Sequence, residues 1–135
     1  LLDTLEDLGI GSIAFTPLAQ GMLTKKYLSG VPNDSRAMQN KSLDRNKLKP
    51  ELIEALNSLN NIASSRGQSL AQMALAWVLR GSRVTTALIG ASKSEQVVDC
   101  VGVIENLNFT EDELLKIDRL SGDLGINLWA ASSEI

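Results

Sequence analysis

The chain has 135 residues, of which 44% are hydrophobic and 21% are charged, a balance that permits one sizeable core and argues against a disordered chain. Lysine and arginine total 13 against 16 aspartates and glutamates, so the net charge is −3. This charge argues against a nucleic-acid surface or an anionic membrane as the main partner.

The first part of the chain is predicted to form a helix, a strand, a long loop and a second helix. Residues 1–8 carry leucines at helical spacing, and Gly9 supplies a C-terminal stop. The apolar run SIAFTPL, residues 12–18, has the length of a buried parallel strand. Residues 28–49 hold many turn formers and little periodicity, which predicts a long functional loop. An amphipathic pattern over about 50–67 predicts the second helix.

The rest of the chain is predicted to form a helix, a strand, two more helices and an irregular tail, GINLWAASSEI. Two capping boxes, Ser69-x-x-Gln72 and Thr110-x-x-Glu113, open the first and the last of these helices. The β-branched run VTTALIG, residues 84–90, predicts a second buried strand. The residues expected to face inward are Leu70, Met73, Ala74, Trp77 and Val78 in the first helix, Val97, Val101 and Ile104 in the second, and Leu114, Ile117 and Leu120 in the last.

Two strands that alternate with helices predict a parallel α/β arrangement, because parallel neighbours need a crossover connection. A two-stranded parallel sheet is not stable by itself. Either the protein oligomerises to complete a sheet, or the chain is the C-terminal part of a larger α/β fold. A (β/α)8 barrel takes about 250 residues, so its other strands would lie upstream. The chain starts with leucine inside a predicted helix, and we therefore expect it to begin within a larger protein.

Both predicted strands end in small residues and hydroxyls, at the edge where parallel α/β folds bind ligands. After the second strand, Gly90 and Ala91 permit close backbone approach, Ser92 can cap the next helix, and Lys93 adds a positive charge. These are the features of a phosphate site at a helix N-terminus. The alternative is a plain Ser92-x-x-Glu95 capping box beside a solvated lysine.

The loop after the first strand carries a second set of candidates. Thr16 offers a hydroxyl, Gly21 permits close approach, and Lys26 and Arg36 offer charges that suit an anion. In (β/α)8 barrels the loops after the last two strands commonly form one phosphate site, so we expect the two loops to act together. The alternative is that Lys25, Lys26 and Arg36 are ordinary surface charges.

Several chemistries are excluded within this chain. With no histidine and one cysteine, Cys100, it holds no Ser-His triad, no Cys-His pair, no internal disulfide and no ordinary zinc site. Tyr27, beside two lysines, is a weak candidate for a general acid. The cysteine usage, the acidic start and the lack of an apolar run of about 18 residues predict a cytoplasmic protein.

Four segments follow one another along the chain: FTPLAQGMLTKKY, SGVPNDSR, AQMALAWVLR and LIGASKSEQ. In this order they resemble the C-terminal part of aldo/keto reductases, in the subgroup that holds bacterial L-glyceraldehyde 3-phosphate reductases and the β subunits of voltage-gated potassium channels. The resemblance implies that residues 1–135 are the C-terminal part of a single (β/α)8 TIM-barrel domain. They would supply its last two strands, a cofactor-side loop at about 28–49 and a C-terminal extension at about 110–135. It also implies NADP(H) as the cofactor and hydride transfer to a small aldehyde.

The resemblance assigns the cofactor to two groups of residues. The group near the nicotinamide, the pyrophosphate and the long loop is Phe15, Thr16, Pro17, Leu18, Ala19, Gln20, Gly21, Lys26, Ser35 and Arg36. The group near the adenosine and its 2′-phosphate is Gly90, Ala91, Ser92, Lys93, Gln96, Asp99 and Cys100. The chain differs from the family at Lys25, where glycine is usual, and at Asp99-Cys100, where the family carries Glu-Asn and the asparagine contacts adenine. A thiol lacks the donors of that amide, so the adenine contacts stay open.

The family's Asp, Tyr, Lys and His tetrad lies upstream of the matching segment, and Tyr27 does not match its tyrosine. We therefore expect no catalytic residue in this chain and no turnover by the chain alone. The expected partners are a small carbonyl substrate, together with the upstream part of the same barrel or further copies of the chain, and neither nucleic acid nor membrane. Two other functions stay open: a non-catalytic NADP-binding regulatory module like a channel β subunit, and a helix-turn-helix DNA binder suggested by SRGQSLAQMALAWVLR.

Overall fold

A computed structural model describes residues 1–30 and 49–122 of the chain. Most of the predicted loop at 28–49 and the whole of the tail GINLWAASSEI lie outside the described residues. Short 3-10 turns occur at Ala19–Gly21, Lys25–Tyr27, Arg80–Ser82 and Gly102–Glu105. The helices and strands, in chain order, are α1 (Leu2–Asp7), β1 (Ile13–Phe15), α2 (Pro50–Ser65), α3 (Leu70–Leu79), β2 (Thr86–Leu88), α4 (Ser94–Val101) and α5 (Glu111–Leu120).

The two strands pair in parallel, with Ala14 opposite Ala87 and Phe15 opposite Leu88. This confirms the predicted parallel arrangement. Both strands are shorter than the predicted runs at 12–18 and 84–90. β1 ends because Thr16 turns the backbone to a φ of 55° and the following proline has no N–H to donate. β2 ends with it, since β1 is its only partner among the described residues.

The two faces of this sheet are in different environments. Ala87 packs against the apolar cluster of Leu75 and Cys100, on the side where α3 lies. On the opposite face Phe15 and Leu88 are 66% and 54% exposed. The prediction of buried strands is therefore wrong for this face of the described structure. Parallel strands are buried when helices or other strands cover both faces, and the described helices cover one.

The larger of the apolar clusters joins α2, α3 and α5 to the segment after β1. Tyr27, which is 1% exposed, lies in this core, and so does Met22. The other buried members are Leu52, Leu56, Leu59, Ala63, Leu70, Met73 and Ile117.

Helix α3 lies between the two apolar clusters and is buried on more than one side. The structure confirms its predicted inward residues Leu70 and Met73, whereas Ala74, Trp77 and Val78 are only half-buried. It buries in addition Ala71, Leu75 and Ala76, because the smaller cluster packs on a side that a single helical stripe does not include.

Arg66, directly after α2, connects that helix to the start of α5. Its side chain is 3% exposed, and its Nη1 lies 2.7 Å from Glu113 Oε2. Its Nη2 donates to the carbonyl of Asn108 at 2.8 Å, and the guanidinium stacks 3.8 Å from the centre of the Phe109 ring. The same Glu113 oxygen accepts a hydrogen bond from the Thr110 N–H, which confirms the second predicted capping box.

Helix α4 carries an apolar stripe that was predicted to face inward. Val97, Val101 and Ile104 are instead exposed, and the residues that this segment buries are Cys100 and Val103. The reason is the same as for the sheet: the described elements cover only one side of α4. In the part of the chain that the structure describes, no helix is both long and apolar enough to cross a membrane.

Candidate functional site

A cavity of about 990 Å³ lies where the carboxyl ends of β1 and β2 meet the N-terminal ends of α3 and α4. This volume falls at the upper end of the range of about 300–1,000 Å³ that is typical of ligand sites. The edge formed by the carboxyl ends of parallel strands is also the usual place for a ligand in α/β folds. Both loops that were predicted to act together border this one cavity.

The structure brings most of the sequence-predicted site residues together in the wall of this cavity. Ala19 and Lys93 do not line it, and Ser35 and Arg36 lie outside the described residues. The predicted residues that line the cavity are Phe15, Thr16, Pro17, Leu18, Gln20, Gly21, Lys26, Gly90, Ala91, Ser92, Gln96, Asp99 and Cys100.

Other lining residues were not among the predicted site residues. Ser69 was recognised as a helix cap, but its position in the cavity wall depends on the packing of α3 beside α4, which a single sequence does not show. The sequence pattern predicts Glu95 only as part of the alternative capping box that starts at Ser92. The full set is Thr24, Lys25, Tyr27, Ser69, Ala71, Leu88, Ile89 and Glu95.

The loop after β1 has an unusual backbone. Thr16, Ala19 and Gln20 have φ angles of 55°, 47° and 58°, in the left-handed region that side chains disfavour. Each such residue costs on the order of 1–3 kcal/mol and persists where the surroundings enforce it. Here the Ala19 N–H donates to the Thr16 carbonyl, and the Gly21 N–H donates to the Leu18 carbonyl, both at 2.9 Å. Backbone strain of this kind concentrates at functional sites.

Two buried polar atoms of the same loop, Thr16 Oγ1 and Gln20 Oε1, have no hydrogen-bond partner among the described residues. A buried acceptor without a partner costs about 1–3 kcal/mol. Across the cavity, a Cβ added to Gly90 would meet no atom within 4 Å, so the backbone there borders open space. A ligand with hydrogen-bond donors would fit the two acceptors, and a bulky group would fit beside the glycine.

The start of α4 differs from the prediction. The helix begins at Ser94, and its N-cap residue, Lys93, makes no side-chain capping bond. Ser92 does not cap the helix, because its N–H and hydroxyl donate to Gln96 Oε1 at 2.8 and 3.3 Å. Gln96 therefore closes the turn that leads into the helix, and α4 has no side-chain cap of its own.

Charges of both signs line the cavity. Lys25 and Lys26 come from the loop after β1, whereas Glu95 and Asp99 come from α4. Lys93, the cation predicted at the α4 end, is the N-cap residue of that helix but does not line the cavity. Among the described residues, the cations that line the cavity are Lys25 and Lys26.

Cys100 is buried in the smaller apolar cluster while it lines the cavity. Burial raises the pKa of the Cys100 thiol, and the neighbouring Asp99 carboxylate raises it further. The thiol therefore stays protonated at neutral pH and is a poor nucleophile.

A comparison with protein families matches residues 1–121 to the model of the aldo/keto reductase family. Curated proteins similar to the chain include L-glyceraldehyde 3-phosphate reductases of Escherichia coli O157:H7 and strain K12, which are 51% and 52% identical over 99% of this chain. A protein of Oryza sativa subsp. japonica, described as a probable voltage-gated potassium channel subunit beta, is 36% identical over 79% of the chain. The chain spans 40% of the length of the two reductases and 34% of the length of the rice protein.

Proposed function

Because the chain belongs to the aldo/keto reductase family, we propose that it is the cofactor-binding part of an oxidoreductase built as a (β/α)8 barrel. In this proposal β1 and β2 are the last two strands of the barrel. The parallel pairing of the strands supports it. So does the uncovered apolar face with Phe15 and Leu88, since the inside of such a barrel is filled by side chains from all its strands.

The proposed ligand is a nicotinamide dinucleotide, and the resemblance favours NADP(H). The observation that carries the proposal is the single cavity between both strand-end loops, with the unpartnered acceptors Thr16 Oγ1 and Gln20 Oε1 in residues of its wall. The carboxamide and the ribose hydroxyls of a dinucleotide supply donors for such acceptors. Lys25 and Lys26 are the lining cations that suit its phosphates. When bound, the cofactor would supply a hydride.

The proposed substrate is a small aldehyde. The support is the similarity to the two bacterial L-glyceraldehyde 3-phosphate reductases, at 51% and 52% identity. Tyr27 is not proposed as a proton donor, because its side chain is buried in the core. We propose that the residues that transfer the proton belong to the rest of the barrel. The single cysteine supports the cytoplasm as the working compartment.

Titration of the full-length protein with NADPH and NADH, followed by cofactor fluorescence, tests the ligand. We expect binding, and we expect Lys26→Ala to weaken it about tenfold, since a hydrogen-bonded charge is removed. Lys116→Ala is the control, because Lys116 is an exposed lysine of α5 that does not line the cavity. Binding of neither dinucleotide would contradict the proposal, and equal affinity of the two variants would contradict the role of Lys26.

The second candidate function is a non-catalytic regulatory module, which the similarity to the rice channel-subunit protein favours. The two candidates differ in turnover. Oxidation of NADPH by the full-length protein with glyceraldehyde or methylglyoxal would support the reductase, whereas binding of NADPH without turnover of any small aldehyde would support the regulatory module.

A further inference from the structure

We propose that Asp99 is a positioning residue, which holds the first turns of α4 in the cavity wall through hydrogen bonds to the start of α3. The proposal rests on the proposed function to the extent that its effect is measured as dinucleotide affinity. Ser69, Gln72 and Asp99 together are called the α3–α4 clamp.

The clamp extends a capping box by a third residue. The Ser69 hydroxyl accepts from the Gln72 N–H at 3.1 Å and donates to Asp99 Oδ2 at 3.0 Å. The Gln72 side chain accepts from the Ser69 N–H at 2.9 Å, and its amide nitrogen donates to the Asp99 carbonyl at 2.8 Å. Ser69 and Gln72 therefore each make one hydrogen bond within the capping box of α3 and a second one to Asp99 of α4.

Helix α4 has few other attachments among the described elements. It has no side-chain cap, and Val97, Val98 and Val101 are exposed. Among the described residues, α4 is attached to α3 by the packing of Cys100 and Val103 and by the hydrogen bonds of the clamp. Since Glu95, Gln96 and Asp99 all line the cavity, a shift of α4 would move that wall.

The absence of a side chain at Gly102 leaves space for the Gln72 side chain. A Cβ at this position would come within 2.7 Å of Gln72 Nε2, the atom that donates to the Asp99 carbonyl. Gly102→Ala should therefore displace the amide and weaken one of the two bonds of the clamp to α4.

The other capping box of the chain provides a matched control. Thr110 also accepts from the N–H three residues on, and Glu113 also accepts from the cap N–H. Neither of these residues lines the cavity. Thr110→Ala removes a cap of the same kind away from the site.

The experiment measures NADPH affinity and amide hydrogen exchange in the full-length protein. We expect Asp99→Ala and Ser69→Ala to raise the dissociation constant about three- to tenfold and to speed exchange in α4. The double variant should be no worse than Ser69→Ala alone, because that substitution already removes the bond between Ser69 and Asp99. Asp99→Asn should restore most of the affinity, since its amide oxygen still accepts from Ser69, although more weakly than a carboxylate does. Thr110→Ala should lower the melting temperature and leave the dissociation constant unchanged.

An unchanged affinity of Asp99→Ala would overturn the proposal, and so would a loss in Asp99→Asn as large as in Asp99→Ala, which would indicate a direct effect of charge. If the wild-type protein binds neither NADPH nor NADH, the proposed function fails, and hydrogen exchange then decides about the clamp. Faster exchange in α4 of Asp99→Ala would support it, and unchanged exchange would overturn it.

Discussion

Thr16 combines a φ of 55° with a buried hydroxyl that has no partner among the described residues. Each feature costs free energy in the ligand-free protein, and both occur at the end of a strand, beside a cavity. The sequence predicted this residue as a ligand contact from its hydroxyl and its place after an apolar run. It did not predict the backbone conformation, because φ there depends on the hydrogen bonds of the whole loop.

Thr16→Val removes the hydroxyl and keeps the shape of the side chain. We expect the free energy of unfolding of the ligand-free protein to rise by up to about 1 kcal/mol, since an unpaired buried acceptor is lost. NADPH affinity should fall about tenfold. Urea unfolding and fluorescence titration measure the two effects, and Thr4→Val, on the exposed side of α1, is the control. A loss of stability in Thr16→Val would show that the hydroxyl has a partner in the free protein.

The raised pKa of Cys100 predicts a dependence of stability on pH. An unfolded thiol ionises at about pH 8.5, whereas the folded thiol keeps its proton to a higher pH. Between the two values the unfolded state binds fewer protons, so stability falls as the pH rises. The contribution is fully present below about pH 8.5 and is lost as the pH rises through the raised pKa of the folded thiol. Urea unfolding of wild type and Cys100→Ala from pH 7 to 10 isolates this effect as a difference, and a flat difference would contradict it.

Among the helices, the sequence predicted the starts that depend on neighbouring residues, but not the contacts that depend on residues far along the chain. The capping boxes at Ser69 and Thr110 and the first helical turn at Pro50 were predicted because their bonds join residues a few positions apart. The cap assigned to Ser92 was wrong, since Gln96 competes for the same serine. The burial of α3 on two sides and the third member of its capping box, Asp99, depend on residues about 30 positions away.

The buried pair between Arg66 and Glu113 makes α2 and α5 depend on each other. Glu113→Ala would leave the guanidinium buried without its carboxylate, and we expect a loss of about 3 kcal/mol in the free energy of unfolding. Asp112→Ala, which breaks an exposed pair with Lys116 on the same helix, should cost less than about 1 kcal/mol. Urea unfolding of the full-length protein compares them. Adding Arg66→Met to Glu113→Ala should recover part of the loss, and a further loss instead would contradict the role of the unpaired charge.

At the scale of the molecule, the sequence predicted a parallel pair of strands among helices and the edge at which a cavity opens. It predicted that pair as buried because Val, Ile and Phe are usually covered, but burial depends on neighbours that these residues do not specify. The sequence predicted those site residues that come directly after the two strands. Ser69 and Glu95 were missed because tertiary packing brings them to the cavity.

The uncovered sheet face predicts how residues 1–135 behave when they are produced alone. Ile13, Phe15 and Leu88 are more than half exposed, and contiguous apolar surface of this kind promotes association. We expect the isolated chain to bind the dye ANS and to sediment as more than a monomer, whereas the full-length protein should bind less of the dye. The double substitution Phe15→Ser and Leu88→Ser should reduce dye binding by the isolated chain. Weak dye binding by the unsubstituted chain would contradict the exposure of this face.

The pairing of β1 with β2 also joins residues that are synthesised far apart in time. The hydrogen bond from Ser12 to Thr85 spans 73 residues, whereas the bonds of the helices span three or four. At a translation rate of about 5–20 residues per second, about 4–15 s pass between the synthesis of β1 and that of its partner. During this time the residues of α2 and α3 are synthesised, whereas β1 lacks the strand β2 that pairs with it.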